Sequence, residues 1–370
     1  MDMNFYMPVH IIMGEGSVVK HRALFSQYGN SALIVTGGNS AKLNGSLEDV
    51  ITLLESERIE YRIYDKVTND PSVQCAREGA RQISEYGLDM VIAIGGGSAI
   101  DAGKAMALLC RQPHLTDIQL LNGEYEKKSI PLIAIPTTSG AGSETTPFAM
   151  LTSYELGRKI NVNSNIIYPK IAFLDPRYTL TLPRQVTVNA GIDAISHAME
   201  GMLTITSTPY VRAIAKEALS CFARCLIRLQ KDDMDFESRE RMMYGCALAG
   251  ITVGQTRTSA LHGISYPLGF YKHIPHGRAI GLLMLPYLRF IQDRNPTVVD
   301  PILEALRMQS LDELSLILKE LVGSESKNFL SDDEIKSIAA EAANSRNIRN
   351  SLVPPNQDDI IGILREIGRF

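Results

Sequence analysis

Met90-Val91-Ile92-Ala93-Ile94-Gly95-Gly96-Gly97-Ser98-Ala99-Ile100-Asp101 is the stretch on which the reading of the fold turns. Its first five residues are uniformly apolar and rich in β-branched side chains, as in a strand covered on both faces of a parallel sheet. Three glycines follow, and residues 99–110 then take on an alanine- and leucine-rich helical spacing. A strand that empties through glycines into a helix start presents bare backbone N–H groups, and these can cradle a phosphate. The pattern is not the dinucleotide fingerprint GxGxxG, whose third glycine would fall on Ile100. Nor is it a P-loop, because no Gly-Lys-Ser/Thr follows.

Outward from this stretch, short apolar runs alternate with amphipathic ones, which predicts an α/β domain with a parallel sheet. Strands are expected at residues 31–36, 61–64, 90–94, 130–135 and 171–174, and helices at 47–57, 74–86 and 99–110. The strand at 130–135 empties into a second small-residue turn, Pro136-Thr137-Thr138-Ser139-Gly140-Ala141-Gly142-Ser143. Loops at the carboxyl ends of parallel strands are where such sheets bind ligands. From about residue 182 the spacing is helical throughout, with helices expected at 210–229, 240–253, 280–291, 311–322, 333–344 and 358–367. We therefore expect an α/β domain over residues 1–178 and an all-helical domain over 179–370, with Pro176 and Pro183 punctuating the boundary.

The second half carries a candidate metal site. Asp193 and His197 lie four residues apart, one turn along a helix face, so both can reach one ion without bending the backbone. His262 and His276 follow, each preceding a glycine, in a chain with 7 histidines. One carboxylate and three imidazoles suit iron(II), zinc or manganese. Cys221 and Cys225 also share a helix face, but Ala218, Phe222 and Leu229 around them make a buried apolar stripe. A metal together with a phosphate seat points to hydride chemistry. The ion polarises an alcohol or carbonyl oxygen while a nicotinamide accepts or delivers hydride.

Composition narrows the partners. The 370 residues suffice for two ordinary domains, 45% of them hydrophobic and 21% charged, with no tryptophan. Lys+Arg 37 against Asp+Glu 41 gives a net charge of −4 and leaves no basic block, which argues against nucleic acid. No apolar run is long enough for a bilayer, and the first ten residues lack the basic and apolar pattern of a signal peptide. The 5 cysteines show no CxxC spacing, so reduced thiols in a cytoplasm are expected.

At this point the chain resembles the iron-containing (group III) alcohol dehydrogenases, which share a fold with glycerol dehydrogenase and dehydroquinate synthase. The resemblance runs nearly end to end. It is carried by GlyGlyGlySerAlaIleAsp (95–101), ProThrThrSerGlyAlaGlySerGluThrThr (136–146), LeuAspPro (174–176), GlyIleAspAlaIleSerHisAlaMetGlu (191–200), His262-Gly263 and ProHisGly (275–277). It implies a dehydroquinate synthase-like architecture, with an N-terminal parallel-sheet dinucleotide-binding domain and a C-terminal all-helical metal-binding domain.

The resemblance also implies that Asp193, His197, His262 and His276 ligate the metal, usually iron and sometimes zinc. Gly96, Gly97 and Ser98 would hold the pyrophosphate, Asp101 would anchor the glycine loop, and Asp70, Thr137, Thr138, Thr146 and Lys159 would line the nucleotide site. NAD-preferring members tend to carry an aspartate where this chain has Gly37. With Lys42 nearby, NADP is expected over NAD.

Two departures stand out. Tyr266 replaces a histidine that many members carry beside the nicotinamide, four residues after the ligand His262, so its hydroxyl becomes the expected proton relay, and Tyr266 and His276 are the expected catalytic residues. Arg278-Ala279 follows ProHisGly where many members carry an Ala-Asn pair. Arg257 lies in a segment that is generally small and apolar in the family, and its planar guanidinium is suited to an anionic group on the substrate. The function expected is a metal-dependent NAD(P)-linked alcohol dehydrogenase or aldehyde reductase acting on a small primary alcohol or aldehyde, one bearing an anionic group among the candidates, in a homo-oligomer such as a dimer. A cyclising lyase of the dehydroquinate synthase type and a non-catalytic metal- and nucleotide-binding protein are the alternatives.

Overall fold

The computed structural model describes residues 3–326 and 328–367. The chain packs as two compact units, Met7–Leu182 and Pro183–Phe370, the latter joined by Met1–Tyr6. The extreme N-terminus belongs with the helical unit because Tyr6 and Gln255 exchange two hydrogen bonds, Tyr6 N–H donating at 3.0 Å and Gln255 Nε2 donating to the Tyr6 carbonyl at 2.8 Å.

In the first unit the strands are β1 (His10–Met13), β2 (Ser31–Val35), β3 (Glu60–Tyr64), β4 (Met90–Gly95), β5 (Leu132–Pro136), β6 (Phe148–Ser153), β7 (Arg158–Asn163) and β8 (Ile171–Leu174). Six of them form a wholly parallel sheet in the order β1-β8-β5-β4-β2-β3. The inner strands β4, β5 and β8 are buried at every position, whereas β3 at an edge reads Glu-Tyr-Arg-Ile-Tyr and buries only Tyr64.

The helices of this unit are α1 (Ser17–Lys20), α2 (Ser40–Leu43), α3 (Ser46–Ser56), α4 (Val73–Tyr86), α5 (Gly97–Leu109) and α6 (Asp117–Asn122). Side chains alternate across the sheet with period two. Leu33, Val91, Ala93 and Leu132 pack on α4 and α5, while Ile34, Ile92, Ile94 and Ile133 pack on α3.

The reading of the sequence placed no strand between residues 147 and 170, yet β6 and β7 form an antiparallel hairpin there. The period-two signal was present, since Ala149, Leu151, Ile160 and Val162 are buried on alternate positions. α5, the glycine loop's own helix, holds this hairpin in place. Buried Lys104 donates from Nζ to the carbonyls of Thr146 (2.8 Å) and Phe148 (2.7 Å), and Asp101 accepts from the Met150 N–H (2.9 Å).

The second unit is helical: α7 (Arg184–Met202), α8 (Pro209–Gln230), α9 (Phe236–Thr256), α10 (Ala260–Lys272), α11 (His276–Arg294), α12 (Asp300–Leu306), α13 (Leu311–Val322), α14 (Asp332–Ala343), α15 (Arg346–Arg349) and α16 (Gln357–Glu366). α7 is central and packs against α8, α9 and α11. Its apolar positions Ile192, Ile195 and Met199 join Leu219, Phe222, Leu283 and Tyr287 in one core. Cys221 and Cys225 are buried on α8, and none of the five cysteines forms a disulfide among the described residues. Among the described residues no helix is long and apolar enough to cross a membrane.

Candidate metal centre

α7, α10 and α11 bring four side chains to one point. Asp193 Oδ1 lies 3.7 Å from His197 Nε2, 3.5 Å from His262 Nε2 and 3.5 Å from His276 Nε2. Asp193, His262 and His276 each offer a ligand atom within 4.8 Å of the other two. His197 reaches the group through Asp193, and its ring stacks on His262 with centroids 4.9 Å apart.

The residues fit a divalent ion. Donor atoms arranged tetrahedrally at about 2.1 Å from an ion are about 3.4 Å from one another, close to the three separations seen. Asp193 Oδ1 and His262 Nε2 are also buried without a hydrogen-bond partner, an uncommon state for polar atoms that a cation resolves. His276 is 38% exposed and leaves one side of the group open.

A fifth residue, which the sequence reading passed over, orients the set. Glu200 is one further turn along α7 from His197 and is completely buried. Its Oε2 pairs with His262 Nδ1, while Oε1 accepts from the Ser259 N–H (2.8 Å) and Oγ (2.6 Å). Holding Nδ1 in this way turns Nε2 toward Asp193, the arrangement by which a second carboxylate fixes a ligating imidazole. The signal was an acidic residue at i+7 from Asp193, on the same helix face.

The electrostatics follow from this. Burial alone would raise the Asp193 carboxyl, but the imidazoles of His197, His262 and His276 outweigh it and hold the group well below the usual carboxylate range. Burial likewise disfavours charge on Glu200, and His262 beside it brings the carboxyl down. His197 is pushed down to about 4 by burial, against the pull of Asp193. For His262 burial is outweighed by Glu200 and Asp193, and its pKa is pushed up to about 9. Two ionised carboxylates in one dry pocket therefore favour a cation, and a divalent ion on Nε2 would replace the His262 proton.

Glycines set the helix spacing. A Cβ on Gly277 would run into the backbone of Asn189 on α7, and one on Gly263 would stand 2.9 Å from Ser345 Oγ. Each histidine-glycine pair thus marks a place where a ligand-bearing helix touches its neighbour closely.

Tyr266, one turn after His262, stacks its ring on His276 at 5.3 Å. Burial of its hydroxyl end and the charges of Asp193 and Glu200 raise its pKa, so it stays a protonated donor. Arg257 ends α9 with φ 63° and ψ −179°, and its side chain is exposed.

The α/β unit places the nucleotide candidates as follows. Gly96 caps α5 with extended backbone, and the first N–H groups of the helix, including those of Gly97 and Ser98, lack intrahelical acceptors. A Cβ on Gly97 would come within 2.8 Å of Ala141, and one on Gly96 within 3.1 Å of Thr138 Oγ1, so the glycine loop and the threonine-rich turn are in direct contact. Thr137 is buried, with its N–H bonded to the Gly95 carbonyl. Thr146 is turned inward, its hydroxyl accepting from Lys104 at 3.2 Å.

Asp101 differs from expectation. Its carboxylate ties down the Met150 N–H of β6, with Lys104 Nζ at 4.0 Å, and so it anchors the hairpin, not the glycine loop. The reason is its place one turn into α5, where the side chain meets β6. Lys159 and Asp70 pair with each other at 2.6 Å on the surface. Gly37 has no room for a side chain, because a Cβ would collide with the Val67 carbonyl. Lys42 lies 3.7 Å from Asp65 and remains more than half exposed, at 54%.

Glu144 in the same turn is buried, and burial pushes its carboxyl up to about 7 against its own N–H and Lys104. The folded unit thus keeps a proton that the unfolded chain releases near 4.5. That contribution to stability is complete below 4.5 and is lost as the pH rises through 7. Urea unfolding of the Glu144→Gln protein should show a flatter dependence than wild type between pH 5 and 7; parallel curves would refute the assignment.

Comparison with known proteins identifies the family. The iron-containing alcohol dehydrogenase family model matches residues 8–176, and the model for the C-terminal region of the Fe-containing alcohol dehydrogenase family matches 187–368. The chain is 33% identical over 290 residues to the NADPH-dependent butanol dehydrogenase of Clostridium saccharobutylicum, covering 77% of this chain and 73% of that one. It is 33% identical over 252 residues to the sulfoacetaldehyde reductase of Bilophila wadsworthia, covering 68% and 65%. Of the aldehyde-alcohol dehydrogenase 2 of Entamoeba histolytica it spans 30% of the length. The crystal structure of an iron-containing alcohol dehydrogenase from Thermotoga maritima superposes with a TM-score of 0.90 at 34% identity over 99% of both chains. With both family models matched across nearly its whole length, and a carboxylate and three imidazoles gathered in the helical half, the chain belongs to the iron-containing alcohol dehydrogenase family.

Proposed function

We propose that the protein interconverts a small primary alcohol and its aldehyde, with iron(II) or zinc held by Asp193, His197, His262 and His276 and with NADP as the preferred hydride carrier. The observation that carries this reading is the gathering of three imidazole nitrogens within 3.5 to 3.7 Å of one carboxylate oxygen. A divalent ion bound there supplies Lewis acidity toward the carbonyl or alcohol oxygen.

The chain's own residues do the rest. Glu200 keeps His262 in one tautomer. Gly96, Gly97 and Ser98 present N–H groups to the pyrophosphate, and Asp70, Thr137, Thr138, Thr146 and Lys159 border the nucleotide. Tyr266, held protonated and stacked on His276, donates the proton that accompanies aldehyde reduction. NADP is favoured because the space at Gly37 excludes a carboxylate, while the exposed Lys42 offers charge for a 2′-phosphate.

Five cysteines outside any disulfide support a cytoplasmic location. The four-residue edge strand β1 leaves one side of the sheet open to a second copy, which supports a homodimer.

Protein purified without oxygen should carry one equivalent of iron or zinc. It should oxidise NADPH at 340 nm with short aldehydes, faster than NADH by about tenfold, the effect of one charged contact. Light scattering of the same sample should return twice the 40.8 kDa chain mass. Absence of turnover with every aldehyde in the metal-loaded protein would end the catalytic reading, and a single chain mass would end the dimer.

A further inference from the structure

Arg257 sits where a glycine would be expected. Its φ of 63° and ψ of −179° fall in a region essentially reserved for residues without a Cβ. The turn that imposes this conformation is fixed from several sides without help from the arginine side chain. The Arg257 N–H closes α9 on the Val253 carbonyl at 2.7 Å. The Asn350 side-chain amide donates to the carbonyls on either side, Thr256 at 2.8 Å and Thr258 at 3.0 Å. Thr206 Oγ1 adds a bond to Thr256 at 3.1 Å, and Asn347 Nδ2 one to Thr258 Oγ1 at 2.7 Å. A glycine would occupy this turn without conflict, so holding the turn does not account for an arginine.

Surface pairing does not account for it either. Among the described residues no carboxylate lies within 4.0 Å of the Arg257 guanidinium, and no hydrogen bond from it is formed. Two cations on α10 and α11 are, by contrast, committed. Lys272 pairs with Glu334 at 3.2 Å, and Arg278 pairs with Glu325. Arg257 is an unpaired planar cation on a rigid turn, and that turn borders the metal site: two residues on, Ser259 binds Glu200 through both its N–H and its hydroxyl, and Glu200 holds His262.

We propose that Arg257 is the specificity residue of this site, and that the preferred substrate is a short aldehyde or alcohol bearing a terminal oxoanion such as a carboxylate, sulfonate or phosphonate. The guanidinium fork takes two oxygens of such a group at once, which a lysine cannot do. A phosphate of the nucleotide presents the same chemistry, and the test separates the two sources. The inference rests on the oxidoreductase reading.

The variant to use is Arg257→Gly, which suits the backbone and removes the side chain with its guanidinium. Its thermal midpoint should equal or exceed that of the wild type, which establishes that the fold is kept. Metal-loaded wild type should favour 4-oxobutanoate over butanal. In Arg257→Gly the ratio of kcat/KM values should fall by about 30-fold, mostly through KM for the anionic aldehyde, as expected for loss of a charged bidentate contact. Arg257→Lys should fall between the two. The KM for NADPH should not change; a rise in it with both aldehydes would assign the arginine to the nucleotide and overturn the proposal. A ratio unchanged within about twofold, or a wild type that prefers butanal, would also overturn it while leaving the oxidoreductase reading intact. A wild type that reduces neither aldehyde would remove that reading and this one with it.

Discussion

Asp193→Asn protein is expected to hold less than about a tenth of an equivalent of metal and to lose roughly a thousandfold in kcat/KM, or about 4 kcal/mol of transition-state stabilisation. The amide has the size of the carboxylate, so packing on α7 is kept. What goes is the charge at the one atom from which His197, His262 and His276 lie 3.7, 3.5 and 3.5 Å. The remaining donors are neutral imidazoles, and Glu200, occupied with Ser259 and His262, cannot take over the position. Elemental analysis and NADPH oxidation on the same sample check both halves of the prediction. A full equivalent of metal in the variant would show that the carboxylate is no ligand.

Gly277→Ala should damage the protein by a different route. One methyl group there meets the Asn189 backbone, which is not free to rotate aside as a side chain could. α11 must back away from α7, at a cost of about 2 to 3 kcal/mol for overpacking a core contact. His276 is the adjacent residue, so metal affinity should fall by about 10- to 100-fold, the scale seen when the support of a ligand is disturbed. Gly362→Ala is the control: nothing lies within 4 Å of the added Cβ on α16, and helix propensity predicts a gain of about 0.5 to 1 kcal/mol. Equal midpoints for the two variants would mean that the α7–α11 contact yields more readily than the coordinates suggest.

Much of this was legible in the chain because it follows from local periodicity. The inner strands of the sheet are apolar at every position, and their predicted and observed limits agree within two residues. Helix starts were placed late where a polar cap precedes the apolar pattern. α9 begins at Phe236, four residues before its periodicity shows, because Asp235 accepts from the Ser238 N–H.

The hairpin was harder to see, since its strands bury only alternate residues and its partner surface is a helix far away in sequence. Glu200 escaped for a related reason. That a carboxylate is buried against His262 and Ser259 depends on how α7 meets α10, which no spacing within either helix reveals. Asp101 was assigned to the loop nearest in sequence, whereas its partner lies 49 residues on. Gly37 was read for the carboxylate it lacks, and the Val67 carbonyl that forbids any side chain there belongs to another loop.

The grip of Lys104 on the carbonyls of residues 146 and 148 has a corollary for how this enzyme could be adapted. Its helix starts at the glycine loop, the proposed phosphate seat, and clamps the base of the hairpin through its middle, so loop and hairpin are fastened to one element. Retuning coenzyme choice from that side would disturb everything fastened to the buried ammonium. On the proposed coenzyme seat, residues 38–42 after β2 lie outside the clamp, whereas Gly37 is held by the Val67 carbonyl, so it is in 38–42 that selection, natural or in the laboratory, would exchange one dinucleotide for the other.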